Sequence, residues 1–175
     1  MAGNPQNHHT GRPYVPDDIV FIEDMRFDNF EISVLRIARH FFESLDQPKT
    51  QAWKSGFLQA EHIFPVPFGA SIAHAISIAI DMMCLGRVRG FSYFATSHPK
   101  ARFTMTNEEK YFLMTLQSIR LQRKSAISSY AVMVCEGPNV SDFLAALERL
   151  AIITGDVQSP AYAPNDLAKL SWTTT

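Results

Sequence analysis

Cysteine is scarce in this sequence, with only two among 175 residues. Cys84 and Cys135 both lie in apolar stretches with helical spacing, so we interpret them as buried thiols rather than as part of a disulfide framework. The 13 phenylalanines and 7 methionines provide a core that is large enough to fold without cross-links. Residues 1–16 are polar and rich in proline, unlike a signal peptide, and we therefore expect a cytoplasmic protein.

The common catalytic motifs are also missing. The sequence contains no glycine-rich phosphate loop, no nucleophile elbow and neither a His-Glu-x-x-His nor a paired Cys-x-x-Cys element. A net charge of −1 provides no overall attraction for nucleic acid or for an anionic membrane. These absences favour a non-enzymatic protein, and they give no reason to expect a cofactor or a metal site.

The most apolar stretch runs from Gly69 to Gly86. It contains two apolar stripes at helical spacing, namely Ile72, Ile76, Ala79, Met83 and Ala75, Ile78, Met82, Leu85. A helix that is apolar on most of its circumference must be buried on most of it. The stretch is too short and too polar to span a bilayer, so we expect no membrane contact. The sequence predicts a buried central helix at about residues 70–85.

Two capping boxes mark the beginnings of further helices. Asp28 with Glu31 predicts a helix that ends near Leu45, and Thr106 with Glu109 predicts a second one. The polar side of the first helix is expected to hold three charged residues in solvent: Arg36, Arg39 and Glu43. Apolar periodicity predicts other helices at about 49–64 and 141–155, and either one helix or two across 107–135.

These patterns together predict an all-α fold. We expect a single-domain bundle of five to six helices over residues 19–155, with one long irregular insert at 86–103. A short β-like piece is expected at 91–94, where aromatic residues cluster. Residues 1–18 and 156–175 lack periodicity, and we interpret them as a disordered N-terminal tail and a flexible C-terminal tail.

Basic residues follow the predicted ends of two helices, in the groups Arg87, Arg89 and Arg120, Arg123, Lys124. Cations at the carboxyl end of a helix complement its dipole, which explains both groups without a ligand. The alternative is a patch for nucleic acid or another anion. Its stacking or docking surface would come from three aromatic residues of the insert: Phe91, Tyr93 and Phe94.

Three further residues are candidates for binding a ligand. His74 and Asp81 are seven residues apart, so they lie on the same face of the central helix. The pair either satisfies itself as an ordinary polar contact or orients an imidazole for chemistry. His98 lies in the insert, where a loop can present it to a pocket. The sequence does not predict whether the three converge.

Adjacent large apolar residues indicate how the protein acts. Phe41 adjoins Phe42 and Phe57 adjoins Leu58, and a small bundle is not expected to bury both members of every such pair. Some should therefore form an exposed patch for a partner. The leading hypothesis is a regulatory or adaptor protein that contacts another protein, including a second copy as a homodimer. The alternatives are a nucleic-acid-binding transcription regulator and a metal, haem or small-molecule sensor.

Overall fold

The structure, a computed structural model, describes residues 19–156, with side chains as far as Ile153. Six α-helices in that range confirm the all-α prediction: α1 Asn29–Asp46, α2 Trp53–Ile63, α3 Phe68–Leu85, α4 Asn107–Arg120, α5 Lys124–Cys135 and α6 Ser141–Asp156. Short 3₁₀ turns occupy Ile22–Asp24 and Pro48–Thr50. The tails predicted at 1–18 and 156–175 lie outside the described residues, except for Asp156.

Both predicted capping boxes are confirmed. The Asp28 side chain accepts hydrogen bonds from the amides of Phe30 and Glu31, and the Glu31 carboxylate accepts one from the Asp28 amide at 2.7 Å. Thr106 and Glu109 make the same reciprocal pair at the beginning of α4. Each cap satisfies amides that have no partner within the helix, a contribution of about 1 kcal/mol.

A two-stranded antiparallel sheet joins the first described residues to the beginning of α4. β1, Ile19–Phe21, pairs with β2, Thr104–Thr106, in a register that places Ile19 opposite Thr106. The β-like piece predicted at 91–94 is wrong, because that segment forms no strand. Side-chain contacts hold it instead, including a hydrogen bond from the Phe94 amide to the Glu109 carboxylate.

Residues 107–135, for which the sequence allowed either one helix or two, form the two helices α4 and α5. The break lies at 121–123, and Gln122 adopts a left-handed backbone conformation with φ of 54°. A residue in this conformation cannot continue an α-helix. The polar run that begins there therefore ends α4, and α5 turns back to pack on α4.

α3 lies at the centre of the helices and packs against α6, α2 and α1. Its first predicted stripe is fully buried, since Ile72, Ile76, Ala79 and Met83 are each 0% exposed. The second stripe reaches the surface. Ala75 is buried, Ile78 and Met82 are half-buried, and Leu85 is 79% exposed. The central helix therefore keeps one face open.

Among the described residues, α3 is the one helix that is long and apolar enough to cross a membrane, so the prediction that this stretch is too short and too polar to do so is wrong on length and composition alone. It has 18 residues with a mean hydropathy of 1.6, and 44% of them are buried inside the fold. A core helix of a globular bundle meets the same criteria, so this finding carries little weight.

Candidate protein-interaction surface

A buried ion pair fixes the insert to the helical body. Arg39 of α1 and Glu109 of α4 are joined at 2.7 Å between Nε and Oε1, with side chains that are 4% and 0% exposed. The same guanidinium donates to the carbonyls of Ala101, near the end of the insert, and of Thr104, the first residue of β2. The prediction that Arg39 lies in solvent is wrong, because its partners come from a segment more than 60 residues away.

The carboxylate of Glu109 is the acceptor for four hydrogen bonds of this network. It accepts two hydrogen bonds from Arg39, one from the Phe94 amide at 3.2 Å and one from the Thr106 amide at 2.9 Å. A buried charge is tolerated when it is paired and its remaining lone pairs are satisfied. The pair therefore determines the path of the insert and is a structural element of the fold.

Arg87, a member of the predicted basic patch, is directed into the protein. Its side chain is 2% exposed and forms ion pairs with Glu108 at 2.9 Å and Glu136 at 3.4 Å. It also donates to the carbonyls of Gly90 and Val134. Arg87 thus links the end of α3, the beginning of α4 and the end of α5.

The second basic group is at the other end of α4. Arg120 forms ion pairs with Asp28 and Glu31, and its guanidinium lies 4.6 Å from the centre of the Phe30 ring. Glu108 and Arg120 are separated by twelve residues of helix, which is about 18 Å. The structure therefore separates Arg87 from Arg120. Arg89, at 77% exposure, and the exposed pair Arg123 and Lys124 remain at the surface.

The predicted stacking residues pack onto the body. Phe91 stacks on Phe42 of α1 with ring centres 4.2 Å apart, and Phe94 is 3% exposed. Tyr93 is half-buried, and its hydroxyl donates to Asp46 at 3.4 Å.

This packing explains why both members of the Phe41–Phe42 pair are buried, at 6% and 3% exposure. The Phe41 ring contacts Phe57 of α2, and the Phe42 ring contacts Phe91 of the insert, so α1 is covered on two sides. The expectation is that a small bundle does not bury both members of every such pair, and this first pair contributes no exposed member. The expectation is confirmed at the second pair, where Leu58 is 67% exposed.

The three ligand candidates occupy two different regions. His98 packs on Phe94 with ring centres 5.0 Å apart, and its Nδ1 accepts from the Lys100 amide. His74 and Asp81 are both exposed on α3. Within residues 19–156 no three His, Cys, Asp or Glu side chains converge to hold a metal ion. Burial raises the pKa of the Cys84 thiol, and it raises the pKa of Cys135 to about 11. Neither cysteine is therefore an activated thiolate.

Large hydrophobic side chains are exposed at several places in the described residues, and one of these places is the open face of α3, the most apolar helix. We define the α3 face as the exposed or half-buried residues along one side of the helix: Ala70, Ser71, His74, Ser77, Ile78, Asp81, Met82 and Leu85. They fall within about 140° of the helix circumference at 100° per residue. Hydrophobic and small side chains surround one histidine and one aspartate.

A groove runs beside the α3 face. We define the α3–α6 groove by its lining, which consists of Ala70, Ser71, His74, Ala75, Ile78, Ala146, Arg149 and Ile153. Its volume is about 400 Å³. The lining pairs the first half of α3 with the second half of α6, so the two helices run antiparallel. Small residues on both helices leave this depression open to solvent.

Sequence reasoning missed the residues that carry the fold's polar network. Arg39 lies next to an apolar stripe without a local signal of burial, and Glu109 was identified only as a cap. Sequence reasoning did find His74 and Asp81, because a two-turn spacing on one helix face is a local property. Comparisons with protein-family models, with curated proteins and with solved structures found no match to this chain.

Proposed function

We propose that this protein is a non-enzymatic regulatory or adaptor protein that binds another protein through the α3 face. One observation carries the proposal: the most apolar of the six described helices leaves a continuous side uncovered by residues 19–153. Leu85, a large hydrophobic side chain, is 79% exposed on it. The face combines this apolar side chain with the exposed polar residues His74 and Asp81, and protein interfaces are about as mixed in polarity as the rest of a protein surface.

The chemistry of the α3 face also suits a helical or extended partner. Ala70, Ser71 and Ser77 are small, so a partner backbone can approach closely, and Leu85 and Met82 offer apolar contact at one end. The α3–α6 groove supplies a concave site beside them. Burial of one Leu side chain contributes about 2 kcal/mol, which is enough to make Leu85 a main contributor to affinity.

The test is a matched pair of variants. Leu85→Asp places a charge on the α3 face, and Leu58→Asp makes the same change at a 67% exposed leucine of α2. Proteins that bind the wild type in extracts of source cells are purified, and the affinity of each one is measured for the wild type and for both variants. We expect Leu85→Asp to weaken binding by about 10-fold or more, and Leu58→Asp to leave it unchanged. Equal binding by wild type and Leu85→Asp would refute the proposal.

The nucleic-acid alternative has less support. A patch built on Arg87 and Arg89 needs two accessible guanidinium groups, and the Arg87 side chain is paired with two carboxylates at 2% exposure. Binding that weakens steeply with salt in the wild type and is lost in Arg89→Ala would favour it.

A further inference from the structure

The side chains of the α3 face follow a symmetric order along the helix. Ala70, His74, Ser77, Asp81 and Leu85 succeed one another at steps of three and four residues, so they form one line. His74 and Asp81 are seven residues apart, which is about 10 Å of helix. Their midpoint lies beside Ser77, at the centre of the line. An imidazole and a carboxylate therefore lie at equal distances from one point.

We propose that a second copy of this chain binds the α3 face, with the two α3 helices antiparallel about a two-fold axis that passes beside Ser77. This inference rests on the proposed function and names the partner for the same surface. Residues at equal distances from the axis face one another in such a pair. His74 of each copy then faces Asp81 of the other, and Ala70 faces Leu85. An isologous contact of this kind is the commonest way in which identical chains associate.

The shape of the surface agrees with this arrangement. The α3–α6 groove opens at the Ala70 end of the face, and the protruding Leu85 lies at the other end, about 22 Å along the helix. The antiparallel pairing brings Leu85 of one copy beside the groove of the other, twice. One knob and one depression on the same face therefore become two matching contacts, which parallel helices would not produce.

The charges agree as well. His74 and Arg149 both line the groove, and within the described residues no carboxylate forms an ion pair with Arg149. Asp81 of the second copy faces this group. Complementary charges of this kind select a partner and fix its register more than they add affinity. The order of charges therefore specifies the antiparallel register around Ser77.

The area of the face determines how tightly the two copies are expected to bind. A face of two helices, α3 and α6, measures roughly 27 Å by 20 Å from the length of α3 and an interaxial spacing of about 10 Å. The product, roughly 540 Å², is below the about 800 Å² per partner that a standard specific interface buries, and it falls in the range of weak, transient contacts. We expect a dimer that dissociates on dilution in the micromolar range.

The experiment is sedimentation velocity of the full chain over about 1 to 100 µM. Wild type is compared with His74→Asp, which sets two aspartates opposite each other in both contacts, and with the exchange His74→Asp/Asp81→His, which restores both pairs. We expect His74→Asp to weaken dimerisation by about 10-fold or more and the exchange to restore it to within about 3-fold. Both substitutions are at exposed positions, and circular dichroism checks that each variant is folded.

The control is Leu58→Asp, which should dimerise like the wild type. A wild type that stays monomeric at about 100 µM overturns the second copy as partner. In that case, binding of another protein that is lost in Leu85→Asp leaves the proposed function standing. A dimer that appears only after removal of residues 157–175 assigns the face to that segment in the full chain and also overturns the inference. A wild-type dimer that the exchange fails to restore overturns the antiparallel register.

Discussion

Glu109→Ala offers the most informative perturbation of the fold. The substitution removes the carboxylate that pairs with Arg39 and accepts the amides of Phe94 and Thr106. It leaves a guanidinium that is 4% exposed without its counter-ion. The insert then loses one of its attachments to α4, although Arg39 still reaches the carbonyls of Ala101 and Thr104 and Glu108 still accepts from the Ser92 amide.

The magnitude follows from the burial of both partners. Removal of one member of a buried ion pair costs about 3–5 kcal/mol, because the remaining charge is uncompensated. A chain of this size loses about 2–4 °C of melting temperature for each kcal/mol, so we expect Tm to fall by about 6–20 °C. Arg39→Met/Glu109→Leu removes the stranded charge and should recover part of the loss.

Urea unfolding followed by circular dichroism measures the loss, and amide hydrogen exchange locates it. Exchange should accelerate most in residues 86–106, while α6 changes little. Glu61→Ala, at an exposed position of α2, is the control and should stay within about 0.5 kcal/mol of the wild type. A loss below about 1 kcal/mol for Glu109→Ala, or exchange that is unchanged in the insert, would show that the pair does not hold this segment.

Three other predictions concern single positions. Burial raises the pKa of the Glu31 carboxyl from 4.5 to about 7, so the folded state binds the carboxyl proton more tightly than the unfolded state, and the free energy of unfolding should fall as pH rises from about 4.5 to 7. Glu31→Gln should flatten this pH dependence in urea unfolding, and an unchanged pH dependence would contradict the assignment. A methyl group at Gly69 would lie 2.6 Å from the α2 backbone, whereas a methyl group at Gly90 would meet open space. Gly69→Ala should therefore lower the free energy of unfolding by about 1–3 kcal/mol and Gly90→Ala should hardly change it, and equal stabilities of the two variants would contradict this prediction. Arg87→Ala should lower Tm because the side chain is 2% exposed, while Arg89→Ala, at 77% exposure, should not; matching melting curves would refute this.

Local signals in the sequence predicted the helices well. The caps at Asp28 and Thr106 are set by residues three positions apart, and the core stripe that begins at Ile72 follows from helical periodicity alone. The same local reasoning placed His74 and Asp81 on one face. These features need no knowledge of which helices pack together.

Long-range pairing was beyond such signals. β1 and β2 are only three residues each and lie about 80 residues apart, so no pattern within either strand indicates its partner. Arg39 was placed in solvent because its carboxylate partner is 70 positions away. The open face of α3 was likewise hidden, since periodicity shows which residues are apolar and cannot show which of them a neighbour covers.

Photo-crosslinking from position 85 tests the central claim most directly. A benzoylphenylalanine replaces Leu85 in the full chain, and the same residue replaces Leu58 in the control. We predict that irradiation of the purified protein yields a covalent dimer from position 85 and little from position 58, with the linked peptide in the second copy lying near Ala70. Crosslinking from position 85 that does not exceed crosslinking from position 58, in purified protein and in source cells alike, would contradict the account.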